Sequence, residues 1–171
     1  MAELLIGCGN ARQKVLSIAG REAWTELVTL DHMSDCGADV VHDLEVFPYP
    51  FDDDRFEEIH AKCVLEHVGR QGDWRFWFKQ WTEFARIMKD GAYFFGEVPL
   101  PGSPWAWGDP SHTRIITLEQ FVFLSQQAYR DGVGETSMSD FRSVYKADFT
   151  LVHHARTAAQ QQQFILQVHK E

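Results

Sequence analysis

The chain has 171 residues, 44% of them hydrophobic, with 25 acidic against 16 basic side chains and a net charge of −9. That length supports one compact domain with its own core, residues 1–171, and excludes two of ordinary size. The acidity, with a pI near 5.3, repels a phosphate backbone unless basic residues gather on one face, and no such cluster is visible.

Leu4-Leu5-Ile6 is a buried strand that runs straight into Gly7-Cys8-Gly9. Glycine suits that turn because it accepts positive φ and lets a ligand lie against the backbone. Residues 11–19, with Val15, Leu16 and Ile18, predict a short helix ended by Gly20. Leu27-Val28-Thr29-Leu30 is a second strand ending at Asp31, and residues 39–44 a third, with Asp43 at its end. Two prolines, Pro48 and Pro50, then interrupt regular structure. Residues 56–63 predict a fourth strand. From Trp74 to Met88 apolar residues recur at three- and four-residue steps, the mark of one buried helical face, more plausibly core than a base-stacking surface. Residues 92–98 form a fifth strand of continuous apolar character, as parallel strands covered on both faces require. The pattern loosens over residues 99–148, read as an insertion with a helix at 117–129. Two β-like runs, 149–153 and 164–168, then suggest a closing hairpin across a polar link that includes the glutamines 160–163, read as a solvated loop.

No stretch approaches the roughly 20 apolar residues that cross a bilayer, and no basic segment leads into a signal-like run, so a cytoplasmic protein without membrane contact is expected. Cys8, Cys36 and Cys63 are odd in number and lack a CxxC pair, which indicates neither a disulfide framework nor a zinc knuckle. The glycine turn and the acid-bearing strand ends define a pocket at the carboxyl edge of a parallel sheet, where open α/β folds bind ligands. Arg12 stands where a dinucleotide site of the common type wants its third glycine, and no Tyr-x-x-x-Lys pair is evident. An NAD-dependent oxidoreductase is therefore disfavoured.

In this order and spacing, Leu5-Ile6-Gly7-Cys8-Gly9-Asn10-Ala11, Leu30-Asp31, Val41-His42-Asp43-Leu44, Phe51-Asp52-Asp53 with the strand after it, and Val64-Leu65-Glu66-His67-Val68 resemble the class I S-adenosylmethionine-dependent methyltransferases, particularly a small-molecule group with a Leu-Glu-His-Val segment. The resemblance covers residues 4–98. It implies an α/β, Rossmann-like doubly wound fold: a mostly parallel seven-stranded sheet with a C-terminal antiparallel hairpin. It also implies S-adenosyl-L-methionine as cofactor. Gly7, Cys8, Gly9 and Asn10 would lie against its methionine part, and Asp31 would accept from the ribose hydroxyls. His32 and Met33 would pack on the adenine, Asp43 and Leu44 would meet the adenine edge, and Cys63 would present its backbone near the ammonium.

Many relatives carry helices before the first strand that cover the cofactor. Here the sequence opens at that strand, and residues 99–148 are expected to supply the substrate lid, with Trp105, Trp107, Asp109 and Arg114 as substrate contacts in an aromatic-walled pocket. The expected acceptor is a small molecule. Methyl transfer needs alignment first and a base only for acceptors that lose a proton, for which His67 and His112 are the candidates. No metal is expected, because no further carboxylate accompanies Glu66 and His67 at a ligand spacing. The alternatives are a non-catalytic S-adenosylmethionine or nucleotide-binding module and a nucleic-acid methyltransferase. The second is weakened by Cys63-Val64-Leu65-Glu66 standing where amino-group modifiers carry a Pro-Pro-Tyr type segment. Oligomeric state does not follow from these residues.

Overall fold

The computed structural model describes residues 1–18 and 20–170. Its strands are β1 (Ala2–Ile6), β2 (Glu26–Asp31), β3 (Val40–Val41), β4 (Phe56–Lys62), β5 (Met88–Pro99), β6 (Asp148–Arg156) and β7 (Gln161–His169). They form one sheet in the order β3-β2-β1-β4-β5-β7-β6. The first five are parallel, and β7 lies antiparallel between β5 and β6. The seven-stranded, mostly parallel α/β sheet with a terminal hairpin is therefore observed. The connecting turn is shorter than expected, residues 157–160, because β6 runs on to Arg156 and Gln161, Gln162 and Gln163 of the polar link belong to β7. They find polar partners inside the fold: Gln162 donates to the Ile116 carbonyl at 2.9 Å and Gln163 to the Glu97 carboxylate at 2.5 Å.

One sheet face carries the main core. Alternation along the strands points Leu4, Ile6, Ile59, Ala61, Phe94, Val98, Phe164 and Leu166 to it. Helix α1 (Trp74–Ile87) covers this face with Phe78, Trp81, Phe84 and Ala85, and its first turn is fixed by Asp73, whose carboxylate accepts from the Phe76 amide at 3.0 Å. Trp74, expected on the buried stripe, is 37% exposed at the helix start. A five-residue helix, α2 (Pro104–Gly108), follows β5.

The helix expected over 117–129 is broken in two. A 3₁₀ stretch (Leu118–Leu124) opens on a reciprocal cap between Thr117 and Gln120, and α3 (Gln126–Gly132) restarts at Ser125, whose hydroxyl accepts from the Ala128 amide at 3.2 Å. Phe121, Leu124 and Tyr129 are buried in the same core as α1. Much of the segment 99–148 thus completes the core.

The opposite face differs from expectation. None of residues 11–18 is helical, and Ala19 lies outside the described residues. Side chains hold this crossover instead of a backbone ladder. The Arg12 guanidinium donates to the carbonyls of Gly9, Cys36 and Gly37 at 2.7, 3.0 and 3.1 Å, and the Trp24 indole donates to the Arg12 carbonyl at 2.7 Å. Val15, Leu16 and Ile18 are apolar for the reason anticipated, burial, but they pack on Tyr93, Phe95 and Ile165 without forming a helix. Beside them Lys14 reaches Glu3 at 2.7 Å and Glu58 at 2.8 Å, and Arg21 reaches Glu58 at 2.6 Å.

Candidate functional site

Strand order reverses between β1 and β4, and such a switch point leaves a crevice at the carboxyl ends of the strands. A crevice of about 580 Å3 opens there, lined by the turn after β1, the end of β2, residues 42–45, the end of β4 and Ser111. Gly7 and Gly9 both hold positive φ, +60° and +46°. A Cβ on Gly7 would stand 2.2 Å from Val64 Cγ2, so the chain passes here only as glycine. The Gly7 amide donates to the Leu30 carbonyl at 2.8 Å, which ties the turn to β2.

Asp31 closes β2 with its carboxylate held in place from two sides. Gly9 donates to Oδ2 at 2.8 Å and Met33 to Oδ1 at 2.9 Å, leaving each oxygen further lone pairs for a ligand. His32 and Met33 are exposed along the same wall. Asp43 faces the crevice with Oδ1 bound to the Glu45 amide at 2.8 Å, beside the buried Leu44. Cys63 sits past the end of β4 in the left-handed region, φ +52°, a conformation that costs energy for a side chain other than glycine. Its amide is fixed on the Glu97 carbonyl at 2.7 Å, and burial pushes its thiol up to about 11.

The structure brings together Gly7, Gly9, Asp31, His32, Met33, Asp43, Leu44, Cys63 and His67 around one crevice. Cys8 lies beneath the turn, 4% exposed, with burial raising its thiol to about 11, and Asn10 is exposed outside the lining. Sequence reasoning gave no site role to Leu30, His42, Val64 and Val68, which it quoted only as motif residues, and missed Glu45 and Ser111 in this lining. Asp109-Pro110-Ser111 was the available signal for the last of these, as a turn sequence that places Ser111.

The expected substrate contacts do not gather at the crevice. Trp105 and Trp107 are 63% and 75% exposed on α2. Asp109 turns onto Ser111, accepting from its amide at 2.8 Å and its hydroxyl at 2.5 Å. Arg114 is buried away from the crevice: it donates to the Leu65 carbonyl and to Gln80 Oε1, both at 2.7 Å, and lies over the rings of Phe76 and Trp77. Burial lowers its pKa to about 10. Together with the Thr113 amide on the Glu66 carbonyl at 2.9 Å, it staples residues 109–114 to the 3₁₀ turn Leu65–His67.

That staple sets His67 and His112 edge to face, ring centroids 4.6 Å apart. His67 lines the crevice and its Nδ1 is 3.1 Å from the Ser111 hydroxyl; His112 stands behind it, with Nδ1 3.4 Å from the Ala106 carbonyl. Burial and the neighbouring His112 both hold the His67 pKa below its ordinary value. Glu66 is 2% exposed, neither carboxylate oxygen accepts a hydrogen bond, and burial raises its pKa to about 7.

In sequence, no protein family matches this chain and no curated protein matches it. In structure, it is similar to a SAM-dependent methyltransferase from Archaeoglobus fulgidus, TM-score 0.58 and 16% identity, covering 97% of this chain and 85% of that one. It is also similar to the N-methyltransferase NodS from Bradyrhizobium japonicum, TM-score 0.55 and 13% identity, covering 99% and 86%. A phosphoethanolamine N-methyltransferase from Haemonchus contortus, solved with phosphoethanolamine and S-adenosylhomocysteine, aligns at TM-score 0.57 and 9% identity over 99% of this chain and 39% of that one. The fold is the Rossmann-like fold of these S-adenosylmethionine-dependent methyltransferase structures.

Proposed function

We propose that this protein is an S-adenosylmethionine-dependent methyltransferase that binds its cofactor in the crevice between β1 and β4 and methylates a small molecule near His67. The single observation that carries the reading is Asp31, an oriented carboxylate at the end of β2 beside a glycine turn in which Gly7 has no room for a Cβ. The residues fit the cofactor. Asp31 would offer two oxygens to a pair of ribose hydroxyls, Asp43 and the Leu44 amide would meet the adenine edge as acceptor and donor, and the glycine turn would take the methionine part. A crevice of about 580 Å3 is of the size that holds a ligand of this class. The bound cofactor supplies a methyl group already activated as a sulfonium substituent, so the chain has chiefly to align an acceptor and exclude water. His67, on the crevice wall with His112 behind it, would face such an acceptor. The net charge of −9 favours a small molecule over a nucleic acid.

Isothermal titration with S-adenosylhomocysteine, S-adenosylmethionine and NAD tests the reading. We expect one site for the first two and no heat with NAD, and an Asp31→Ala variant weaker by about 1.5–3 kcal/mol, the scale of a charged hydrogen-bond partner. Tight NAD binding, or unchanged affinity in Asp31→Ala, overturns the assignment. Cofactor binding without turnover across a broad acceptor panel favours the non-catalytic module, and nucleic-acid binding that weakens steeply with salt favours a nucleic-acid substrate.

A further inference from the structure

Glu66 presents a buried carboxylate with no hydrogen-bond partner. An unpaired buried carboxylate is costly, and native folds relieve it by protonation or compensate it with hydrogen bonds, a counter-charge or a cation. Its neighbours supply no hydrogen bond to its oxygens but do supply two imidazoles: one carboxylate oxygen of Glu66 and one ring nitrogen each of His67 and His112 lie within 4.8 Å of one another. We infer that Glu66, His67 and His112 form a binding site for one divalent first-row transition metal of the zinc class.

The donor set decides the class of ion. Two imidazoles and one carboxylate match zinc and similar borderline ions, whereas calcium and magnesium prefer oxygen ligands throughout. Bond lengths near 2.1 Å require the ligand atoms to close to about 3.4 Å from one another, a shift of at most about 1.4 Å from the 4.8 Å limit. The backbone around the site is already fixed. The Glu66 carbonyl is held by the Thr113 amide at 2.9 Å, and Arg114 holds the Leu65 carbonyl at 2.7 Å. Outside the rings, the Ser111 hydroxyl at His67 Nδ1 and the Ala106 carbonyl near His112 Nδ1 are the kind of partner that sets the tautomer of a ligating imidazole. Glu66 and His112 sit inward beside Val98 and Ala106, while His67 lines the cofactor crevice. Three protein ligands leave at least one coordination position open, and His67 places the ion at the crevice wall. If the proposed methyltransferase reading holds, that position takes a donor atom of the methyl acceptor; the metal site itself does not depend on that reading.

The test is titration of untagged, chelator-treated protein with Zn2+ and with Co2+, the latter followed by visible absorption, alongside S-adenosylhomocysteine binding by calorimetry. We expect one Zn2+ per chain and the d–d bands of a four- or five-coordinate Co2+, with affinity reduced more than about tenfold in Glu66→Gln and in His112→Asn. Circular dichroism identifies a variant that fails to fold, and the other then decides. Absence of one-to-one binding overturns the proposal, as does binding equally tight in the folded variants, which marks an adventitious ion only. S-adenosylhomocysteine binding without metal binding overturns the metal site alone, and the converse overturns the cofactor reading alone.

Discussion

A Cβ at Gly7 meets two independent penalties, a φ of +60° and a 2.2 Å approach to Val64 Cγ2. The first costs about 1–2 kcal/mol for an L-residue and the second, as overpacking, about 1–3 kcal/mol. Gly7→Ala should therefore lower urea stability by about 2–5 kcal/mol and weaken S-adenosylhomocysteine binding. In a Val64→Ala background the two methyl overlaps disappear, leaving the backbone cost and a 3.2 Å approach to the remaining Cβ, so a double-mutant cycle should show coupling above about 0.5 kcal/mol. Strict additivity would mean that the turn has already moved away from Val64. The meeting of Gly7 and Asp31 at one crevice was legible in the sequence because a glycine turn after one apolar run and an acid closing the next lie at the same edge of a parallel sheet. His112 as a neighbour of His67 was not: the two lie 45 positions apart, and only the hydrogen bonds of residues 113 and 114 to the 65–66 turn bring them together.

Elements with one dominant requirement were legible; those with competing requirements were not. Helix α1 followed its apolar spacing because nothing opposed it, and its centre, Trp81, is fully buried against Phe84, Phe94, Phe121 and Phe149. Its indole N–H has no hydrogen-bond partner. Trp81→Phe removes that unsatisfied donor along with some packing, and should cost less than about 2 kcal/mol, whereas Trp81→Ala should cost about 3–5 kcal/mol. Chemical denaturation gives both values; equal losses would contradict the unsatisfied-donor argument. In β5, Gly96 pairs with Phe164, whose ring stands 2.1 Å from the position of an added Cβ. Gly96→Ala should destabilise by about 1–3 kcal/mol, and a Tm unchanged from the parent would show that the ring moves aside freely. By contrast, residues 11–18 read as a helix from Val15, Leu16 and Ile18 alone. Periodicity counts apolar burial and gives no weight to Arg12 and Lys14, whose bonds across the chain hold the segment irregular. The glutamines of β7 were misplaced for the converse reason, since their partners Glu97 and Ile116 come from elsewhere in the chain.

Across the whole molecule the two sheet faces are stabilised differently. One is an aromatic core; the other is closed by an irregular crossover over a charge network in which Glu58, fully buried, receives Lys14, Arg21 and His60. Burial alone would raise the Glu58 pKa, but the three hydrogen bonds outweigh it and bring the group from 4.5 down to about 2. Burial lowers the His60 pKa despite its carboxylate neighbour. A carboxylate whose folded pKa is depressed stabilises the fold above its unfolded value, so Glu58 contributes fully above about pH 4.5 and progressively less toward pH 2. The contribution is on the order of 3 kcal/mol. Glu58→Gln should cost about 3 kcal/mol at pH 7, with Lys14 and Arg21 left partly unpaired, and much less near pH 2. Urea denaturation at the two pH values measures the difference; a pH-independent penalty would place the role of Glu58 in packing alone.

The sheet order was legible as a class because five strand-like runs and a closing pair follow one another at regular intervals, while its thinner second face was not. Among the described residues, no helix is long and apolar enough to cross a membrane. The account as a whole rests on the crevice between β1 and β4 being an S-adenosylmethionine site, and a crystal structure grown with S-adenosylhomocysteine tests it most directly. It should show the ribose hydroxyls on Asp31 and the sulfur end directed toward Cys63 and His67. Ligand bound elsewhere, or a crevice that stays empty at saturating ligand, would contradict it.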